Sequence, residues 1–556
     1  MKFKLLATSL AVSLALTGCA MQQSQNTQTA AQQEQVNKAD ERVFSQDYLI
    51  EELDNGLRVM VVKTDYPDVV SLQIPVSVGS RNEVEAGKTG FAHFFEHMMF
   101  KGSEKFPQDV YSDILKNSGV DNRAYTTNDY TNYHLNFSKQ HLDKVLEIEA
   151  DIFQNLSYTE EQFRTEALTV KGEYLKNNAS PIRKLLSAVR QEAFEKHTYK
   201  HTTMGFFEDI EAMPDQMTYG KEFFDKFYKP EYVSLVIVGD VDPKETMAMV
   251  KKHWGNWQKG DYVADIPKEP TQQAPKYVHE QNEGLPGHWL LVSYKGAAWE
   301  PQKKDRAALD LLSQLYFSSN SDIYQELVVE KQIASQMFIY NPETKDPGLL
   351  HVFVKVENAD DLATVRDAIN RTYAKARTEL VDSQKLSDLK SNLKYSFING
   401  LDSSQAIAST LASYMHFERD PEVINQLYKS ADNITSEDIR AVANKYFVDN
   451  ARTTITMSAL DKAPGFEQES DLNALVAKYQ QVPSKPIFKV LDKTNSSPLI
   501  DINLLFNTGA AADPQGKKGV AALTAAMLAQ GGSTSMSYKD IKKAMYPLAG
   551  SFGYQI

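Results

Sequence analysis

The sequence is poor in the residues on which several classes of protein depend. Cys19 is the only cysteine among 556 residues, so no disulfide can form within the chain. The net charge is −13, and this negative balance argues against nucleic acid as a partner. No phosphate-binding glycine loop occurs, and no apolar run after residue 16 is long enough to span a bilayer. Histidine is also scarce, with 11 in the chain, so histidines that lie close together are informative.

The N-terminus has the parts of a bacterial export signal. Residues 1–4 are basic, and residues 5–16 form an apolar run that is too short to persist as a spanning helix. The sequence Leu-Thr-Gly-Cys that ends at Cys19 resembles a lipobox, which implies cleavage before Cys19 and lipidation of that residue. We therefore predict a lipoprotein signal peptide at residues 1–19. The alternative is an ordinary secretory signal that happens to contain a cysteine.

The residues after this cysteine suggest where the protein resides. Ala20 follows Cys19, where an aspartate would suggest retention at the inner membrane. We expect a lipid-anchored protein of the cell envelope, at the outer membrane and facing the periplasm. Residues 20–44 are rich in Gln, Ala, Thr and Asn and have little to bury, which predicts a flexible tether.

The most informative motif is His93-Phe94-Phe95-Glu96-His97. On an α-helix, residues four apart lie on one face, so His93 and His97 can direct two imidazoles toward one metal ion. Glu96 falls on the same side, where it can act as a base. The order His-x-x-Glu-His is that of the inverzincin zinc peptidases. The alternative, a buried polar cluster on an apolar helix, is disfavoured because such groups are costly to bury without partners.

A catalytic zinc site needs a third protein ligand and one open position. The segment 165–173 has a helical pattern, and Glu166 and Glu173 are seven residues apart, so they share a helix face. One of them could bind the metal while the other orients a histidine. The spacing alone does not decide which does which. A solvated acidic helix face is the alternative interpretation.

These motifs together resemble the pitrilysin/insulinase family of zinc peptidases, which includes the mitochondrial processing peptidases. The resemblance covers nearly all of the chain after the leader. It implies that Glu173 is the third ligand of one Zn²⁺ per chain and that Glu166 supports the site. The supporting motifs are His93 to His97, the pair Glu166 and Glu173, and residues 129–133, 227–230 and 236–240.

The resemblance also implies an α+β fold. We expect repeated metallohydrolase domains like those of the processing peptidases, each a mainly antiparallel sheet packed with helices. The predicted organisation is a zinc-bearing catalytic domain at 45–258, a Pro/Gln/Lys-rich linker at 259–285, a second, inactive homologous domain at 286–480, and the truncated start of a third at 487–556.

The third segment is predicted from an internal repeat. Residues 87–93 align without gaps with residues 516–522, and a strand-like run at 72–76 matches 502–506. In this register His93, Glu96 and His97 are replaced by alanines, so the second copy keeps the helix and loses the chemistry. Family members of this type close two halves around the substrate. The chain is therefore expected to be a fragment of a longer protein, whose missing C-terminal half completes the substrate chamber, or a naturally truncated protein.

Two classes of function remain. The first is a zinc-dependent metalloendopeptidase that hydrolyses short or unstructured peptides in the cell envelope, with Glu96 as general base. The second is a non-catalytic family member that binds peptides or scaffolds a complex. Such members usually lose the His-x-x-Glu-His motif, and this chain retains it, which favours the enzyme.

Overall fold

A computed structural model describes residues 42–467, 471–480, 504–545 and 552–555. The described residues form two compact units, which divide between residues 484 and 485. The predicted signal peptide, Cys19 and most of the predicted tether lie outside the described residues. Within the described ranges, no helix combines the length and the apolar character that crossing a membrane requires.

The first unit is built from strands and helices in mixed order. In its described part the strands are β1 (Tyr48–Glu52), β2 (Arg58–Lys63), β3 (Val69–Val76), β4 (Asp121–Thr126), β5 (Thr131–Ser138), β6 (Ser234–Gly239), β7 (Lys276–Gln281), β8 (His288–Lys295), β9 (Ala334–Tyr340), β10 (Leu349–Val356) and β11 (Arg452–Ser458). The longer helices are α1 (Phe91–Met98), α2 (Gln108–Asn117), α3 (Leu142–Asn155), α4 (Glu160–Asn177), α5 (Pro181–Ala193), α6 (Phe207–Ala212), α7 (Met217–Phe227), α8 (Pro243–Trp254), α9 (Lys304–Phe317), α10 (Asp361–Thr378), α11 (Ser383–Asn399), α12 (Ser404–Glu418), α13 (Glu422–Asp432), α14 (Ser436–Tyr446) and α15 (Leu472–Gln480).

The strands form two sheets, of six and five strands, with similar topology. The first has the order β1-β2-β6-β3-β5-β4, and the second has the order β7-β11-β8-β10-β9. In each sheet the last strand of the domain pairs in parallel with an early strand, β6 with β2 and β11 with β7. The remaining pairings are antiparallel. The prediction of repeated α+β domains with mainly antiparallel sheets is confirmed.

The central strands are buried because their sequences are nearly continuous β-branched and apolar runs. Strand β6 reads Ser-Leu-Val-Ile-Val-Gly and is buried along its whole length. Strand β4 lies at the edge of the first sheet and is more polar, with Asp121 and Arg123 exposed. The sheet therefore offers one polar edge strand next to a firmly packed centre.

Two predicted boundaries are wrong in detail. Within the predicted linker 259–285, Lys276–Gln281 forms the edge strand β7, because the second sheet takes up a polar, half-buried strand beside β11. Within the predicted tether 20–44, Val43 and Phe44 are buried. The backbone N–H of Phe44 donates to Asn425 Oδ1 at 2.9 Å, so the ordered chain begins before residue 45.

Each sheet is packed against a helix from the other half of the unit. Helix α12, from the second half of the unit, packs its apolar face on the first sheet, where Leu411 and Met415 join the cluster around Met60 and Val236. Helix α5, from the first half, packs on the second sheet in a cluster that includes Leu185 and Phe353. Each core is thus completed by a helix that is distant in sequence, and the two halves form one unit.

A buried carboxyl beneath the edge strand should make stability depend on pH. Glu149 on α3 accepts a hydrogen bond from Tyr111 Oη at 3.0 Å, and Asn122 of β4 donates to the same Tyr111 oxygen at 3.1 Å. Burial raises the pKa of Glu149 from 4.5 to about 7, against the opposing effect of the Tyr111 hydrogen bond. Because the folded pKa is raised, this contribution to stability is fully present below about pH 4.5 and is lost as pH rises through 7.

We therefore expect Glu149→Gln to gain stability relative to the parent as pH rises from 5 to 8. The relative gain arises over the pH interval in which the carboxyl is ionised in the unfolded chain and still protonated in the folded one. One pKa unit corresponds to about 1.4 kcal/mol, so over this interval the gain in the free energy of unfolding should reach roughly 2 kcal/mol. The measurement is the melting temperature by circular dichroism at both pH values. An equal difference between parent and variant at pH 5 and pH 8 would contradict the prediction.

The second unit contains helices α16 (Val520–Gln530) and α17 (Tyr538–Met545). The predicted helix of the third segment is therefore present, beginning directly after Gly519. Of the predicted strand 502–506, residues 502 and 503 lie outside the described residues. Residues 504–506 are not in a strand, and Leu505 is 93% exposed. A strand needs a hydrogen-bonded neighbour, and the described part of this unit supplies none.

Candidate metal centre

Helix α1, which carries the motif, is fixed by an aromatic face and a glycine start. Phe91, Phe94 and Phe95 are fully buried in the main core. Gly90 caps the helix in the left-handed region, with φ of 89°. This conformation favours glycine, and a Cβ there would lie 2.3 Å from Ile210 Cδ1, so any other residue would be strained and would displace the Ile210 side chain.

A buried carboxylate holds the first turn of α1. Glu83 Oε2 accepts from the N–H of Gly90 at 2.8 Å, and Oε1 accepts from the N–H of Ala92 at 2.7 Å. These are N–H groups that a helix start otherwise leaves without partners. Burial raises the pKa of Glu83 to about 8, although the backbone hydrogen bonds oppose the shift. Sequence reasoning missed this residue.

Helix α4 places the two predicted glutamates opposite α1. It begins with a capping box in which Thr159 and Gln162 bond each other's backbone N–H groups. Phe163, Ala167 and Val170 of α4 are fully buried in the main core. Helices α1 and α4 are packed together.

His93, His97 and Glu173 meet at one point. Glu173 Oε2 lies 3.7 Å from His93 Nε2 and 3.5 Å from His97 Nε2. Ligand atoms about 2.1 Å from a tetrahedral zinc are roughly 3.4 Å apart, so these spacings fit the ion. Within the described residues this is the group of histidine, cysteine and carboxylate side chains that could hold a metal.

Glu166 contacts the ring nitrogen of His97 that does not face Glu173. Its Oε1 lies 2.9 Å from His97 Nδ1, and its Oε2 lies 2.5 Å from Lys101 Nζ. Burial would raise the pKa of Glu166, but the contacts with His97 and Lys101 outweigh it and lower the pKa. Burial likewise acts to lower the pKa of His97, and the Glu166 hydrogen bond with the neighbouring carboxylates raises it instead. Glu166 thus fixes which nitrogen of His97 faces Glu173.

His93 is the more buried histidine. Its Nδ1 has no hydrogen-bond partner among the described residues, while its Nε2 faces Glu173. Burial and the charge of His97 lower the pKa of His93 to about 4, with a smaller contribution from Arg183 and an opposing one from Glu173. A neutral imidazole is the form that binds metal.

Glu96 stands beside this group without belonging to it. Thr126 Oγ1, at the end of edge strand β4, donates to Glu96 Oε2 at 2.6 Å. Burial raises the pKa of Glu96 despite this hydrogen bond. The carboxyl is therefore oriented by one donor and held where it more readily takes up a proton.

The structure brings together the five residues predicted on helices α1 and α4, and Cys19 lies outside the described residues. Sequence reasoning missed four residues that support them: Glu83, Lys101, Thr126 and Asn177. Asn177 Nδ2 donates to Glu173 Oε1 at 3.1 Å. Its position four residues after Glu173 on one helix was a usable signal. Thr126 gave none, because it is distant from the motif in sequence.

Comparison with known proteins places the chain in a family. Residues 58–205 match the family model "Insulinase (Peptidase family M16)", and residues 221–393 match "Peptidase M16 inactive domain". The chain is 31% identical over 411 residues to the zinc protease PqqE of Helicobacter pylori, covering 72% of this chain and 91% of that protein. The chain therefore belongs to peptidase family M16, the insulinase family. The predicted resemblance to the pitrilysin/insulinase family of zinc peptidases is confirmed.

Solved structures agree with this assignment. A protease from Helicobacter pylori superposes with a TM-score of 0.69 at 29% identity, covering 74% of this chain and 99% of that one. The periplasmic protease PqqL of Escherichia coli superposes with a TM-score of 0.63 at 19% identity, covering 91% of this chain and 62% of that one. The second likeness concerns the fold alone.

Proposed function

We propose that this protein is a zinc-dependent metalloendopeptidase, with His93, His97 and Glu173 as ligands and Glu96 as general base. The observation that carries the proposal is the convergence of two imidazole Nε2 atoms and one carboxylate oxygen beside Glu96, a glutamate that is not part of this group. All five site residues lie in the segment that matches the insulinase model rather than the inactive-domain model.

A zinc ion in this position would polarise a peptide carbonyl and make water acidic enough to ionise near neutral pH. The protein's own groups do the rest. Glu96 accepts a proton from the attacking water and delivers it to the leaving amine. Thr126 holds the Glu96 carboxylate in place during both transfers. Glu166 keeps His97 in the orientation and tautomer that direct Nε2 inward.

The edge strand supports an unstructured peptide as substrate. Strand β4 pairs with β5 on one side and ends its sheet on the other. An extended peptide can add to such an edge through backbone hydrogen bonds. Helix α1 packs against β4, and Thr126 at the end of β4 touches Glu96, so a peptide on this edge would run past the catalytic groups.

A non-catalytic, peptide-binding role is the alternative. The edge strand alone would serve that role. It would not account for the convergence of His93, His97 and Glu173, for the contact of Glu166 with His97, or for the buried Glu96. Burying these polar groups costs free energy. The enzyme is the better account of them.

The test is cleavage of a blocked, fluorogenic, unstructured peptide by the chain from Ala20 onward. We expect cleavage with zinc, loss of cleavage after chelation, and recovery when zinc is restored. Cleavage that resists chelation would contradict the proposal. If nothing is cleaved, adding the expected C-terminal half distinguishes an incomplete chamber from a binding role.

We further propose that the protein is anchored at the outer membrane, facing the periplasm, by lipid on Cys19. The support is the lipobox-like sequence at residues 16–19 and the absence of aspartate at position 20. We expect Cys19→Ser to move the protein from the membrane fraction to the soluble periplasmic fraction, because a serine cannot accept the thioether-linked lipid. Fractionation of cells that express parent or variant provides the measurement. An unchanged membrane association would contradict lipidation at Cys19.

A further inference from the structure

A cavity of about 440 Å³ opens beside the candidate metal centre. Two of its lining residues touch the centre directly. Thr126 donates to Glu96, and Asn177 donates to Glu173. The cavity therefore begins where the reacting bond of a peptide would lie, and a neighbouring residue of that peptide would enter it.

One wall of this cavity is a face of helix α5. Arg183, Leu186, Ser187 and Arg190 line it, at the spacing of i, i+3, i+4 and i+7 that defines one helix face. Leu185, on another face of α5, packs against the second sheet. The helix thus turns two arginines toward the cavity while its apolar residues hold it in place.

The two arginines differ in what they already bind. Arg190 is buried, and its Nη1 donates to Asn128 Oδ1 at 2.8 Å and to the carbonyl of His201 at 3.2 Å, so it holds the turn after β4. Arg183 is exposed to the cavity, and no hydrogen bond or ion pair within the described residues engages its guanidinium. A planar group with five donors and no acceptor is suited to a carboxylate.

Two carboxyl groups on the cavity wall could oppose an anion. Asp129 is already engaged, since its oxygens accept from Tyr199 Oη at 2.6 Å and from the N–H of Lys345 at 3.1 Å. Glu343 also lines the cavity, and the surrounding protein desolvates its carboxyl and raises its pKa to about 7. At neutral pH Glu343 is therefore only partly charged, and Arg183 remains the cavity-lining arginine whose guanidinium has neither a hydrogen-bond acceptor nor an ion-pair partner among the described residues.

We propose that Arg183 makes this cavity a subsite for a carboxylate of the peptide substrate, supplied by an acidic side chain or by a free C-terminus. The inference rests on the proposed peptidase function and adds to it a preference for negative charge at one position near the scissile bond. Charge-assisted hydrogen bonds of this kind correspond to a preference of roughly 10- to 100-fold.

The test uses a blocked neutral peptide into which glutamate or glutamine is placed at one position at a time, together with a pair that differs only in a free or amidated C-terminus. The readout is the ratio of kcat/KM within each matched pair, so a change in overall activity does not affect it. A preference for glutamate identifies a side chain as the source of the carboxylate, and a preference for the free acid identifies the C-terminus.

We expect the parent to show the preference, Arg183→Gln to bring the ratio close to one, and Arg183→Glu to favour lysine over glutamine at the same position. Lys184→Gln is the matched control. It removes the same charge from the next residue of α5, which does not line the cavity, and it should keep the parent's ratio. Cleavage of neutral peptides without any acidic preference, or a preference that survives Arg183→Gln, would overturn the subsite. Failure of the parent to cleave any peptide, even with the expected C-terminal half added, would overturn the peptidase function itself.

Discussion

Replacing Glu96 with glutamine is expected to leave zinc bound and to lower peptide hydrolysis by about 10²- to 10⁴-fold, the range for loss of a general acid–base. The side chain sits beside the three proposed ligands without joining them, so the change should not empty the site. Glutamine has nearly the same shape and can still bond Thr126 Oγ1, which now donates to Glu96 at 2.6 Å. It cannot accept the proton of the attacking water.

The measurements are zinc content of the dialysed protein and kcat/KM on one peptide. Glu104→Gln is a suitable control, because it makes the same change at an exposed position that contacts none of the site residues. A Glu96→Gln variant as fast as the parent would refute the role of Glu96. A variant that is inactive and also free of zinc would mean that Glu96 helps hold the metal instead.

The candidate site could be predicted from sequence because its parts are local. His93 and His97 are one helical turn apart, and Glu166 and Glu173 are two turns apart, so helix geometry alone aligns each pair. What spacing could not do was assign the glutamates. The structure distinguishes them by contact, since Glu173 faces both Nε2 atoms and Glu166 meets Nδ1 of His97.

The packing of the two halves could not be predicted, since it depends on contacts between distant segments. Nothing in the sequence of α12 or α5 indicates that each helix packs on the other half's sheet. Each buries one face, and an apolar face does not specify its partner. The polar strand β7 was missed for a related reason: its pairing with β11 comes from the sheet rather than from its own composition.

The internal repeat contained more information than sequence reasoning used. Gly519 starts α16 with φ of 94°, close to the 89° of Gly90, and Asp513 accepts from the N–H of Gly519 as Glu83 does from Gly90. Extending the repeat a few residues upstream, with one residue fewer in the second copy, would have identified both caps. The caps persist where the metal-site residues are alanine, so Glu83 serves the helix start rather than the chemistry.

The two glutamates of α4 should respond differently to the same substitution. We expect Glu173→Gln to lose zinc on dialysis, because it removes an anionic ligand oxygen from the point where His93 and His97 converge. Glu166→Gln should keep a weaker site, with zinc affinity lowered about 10- to 100-fold, the usual cost of removing a group that orients a metal-binding histidine. The His97 ring would remain in place but lose its carboxylate partner.

Competition for zinc with a chromogenic chelator measures both affinities on one scale. His93→Ala gives the reference for a lost ligand, and Glu161→Gln, on the exposed side of α4, gives the reference for an unchanged site. Equal losses at Glu166 and Glu173 would mean that both carboxylates bind the ion. A larger loss of zinc affinity for Glu166→Gln would mean that Glu166 binds the ion and Glu173 orients His97. His97 would then meet the metal through Nδ1 rather than Nε2.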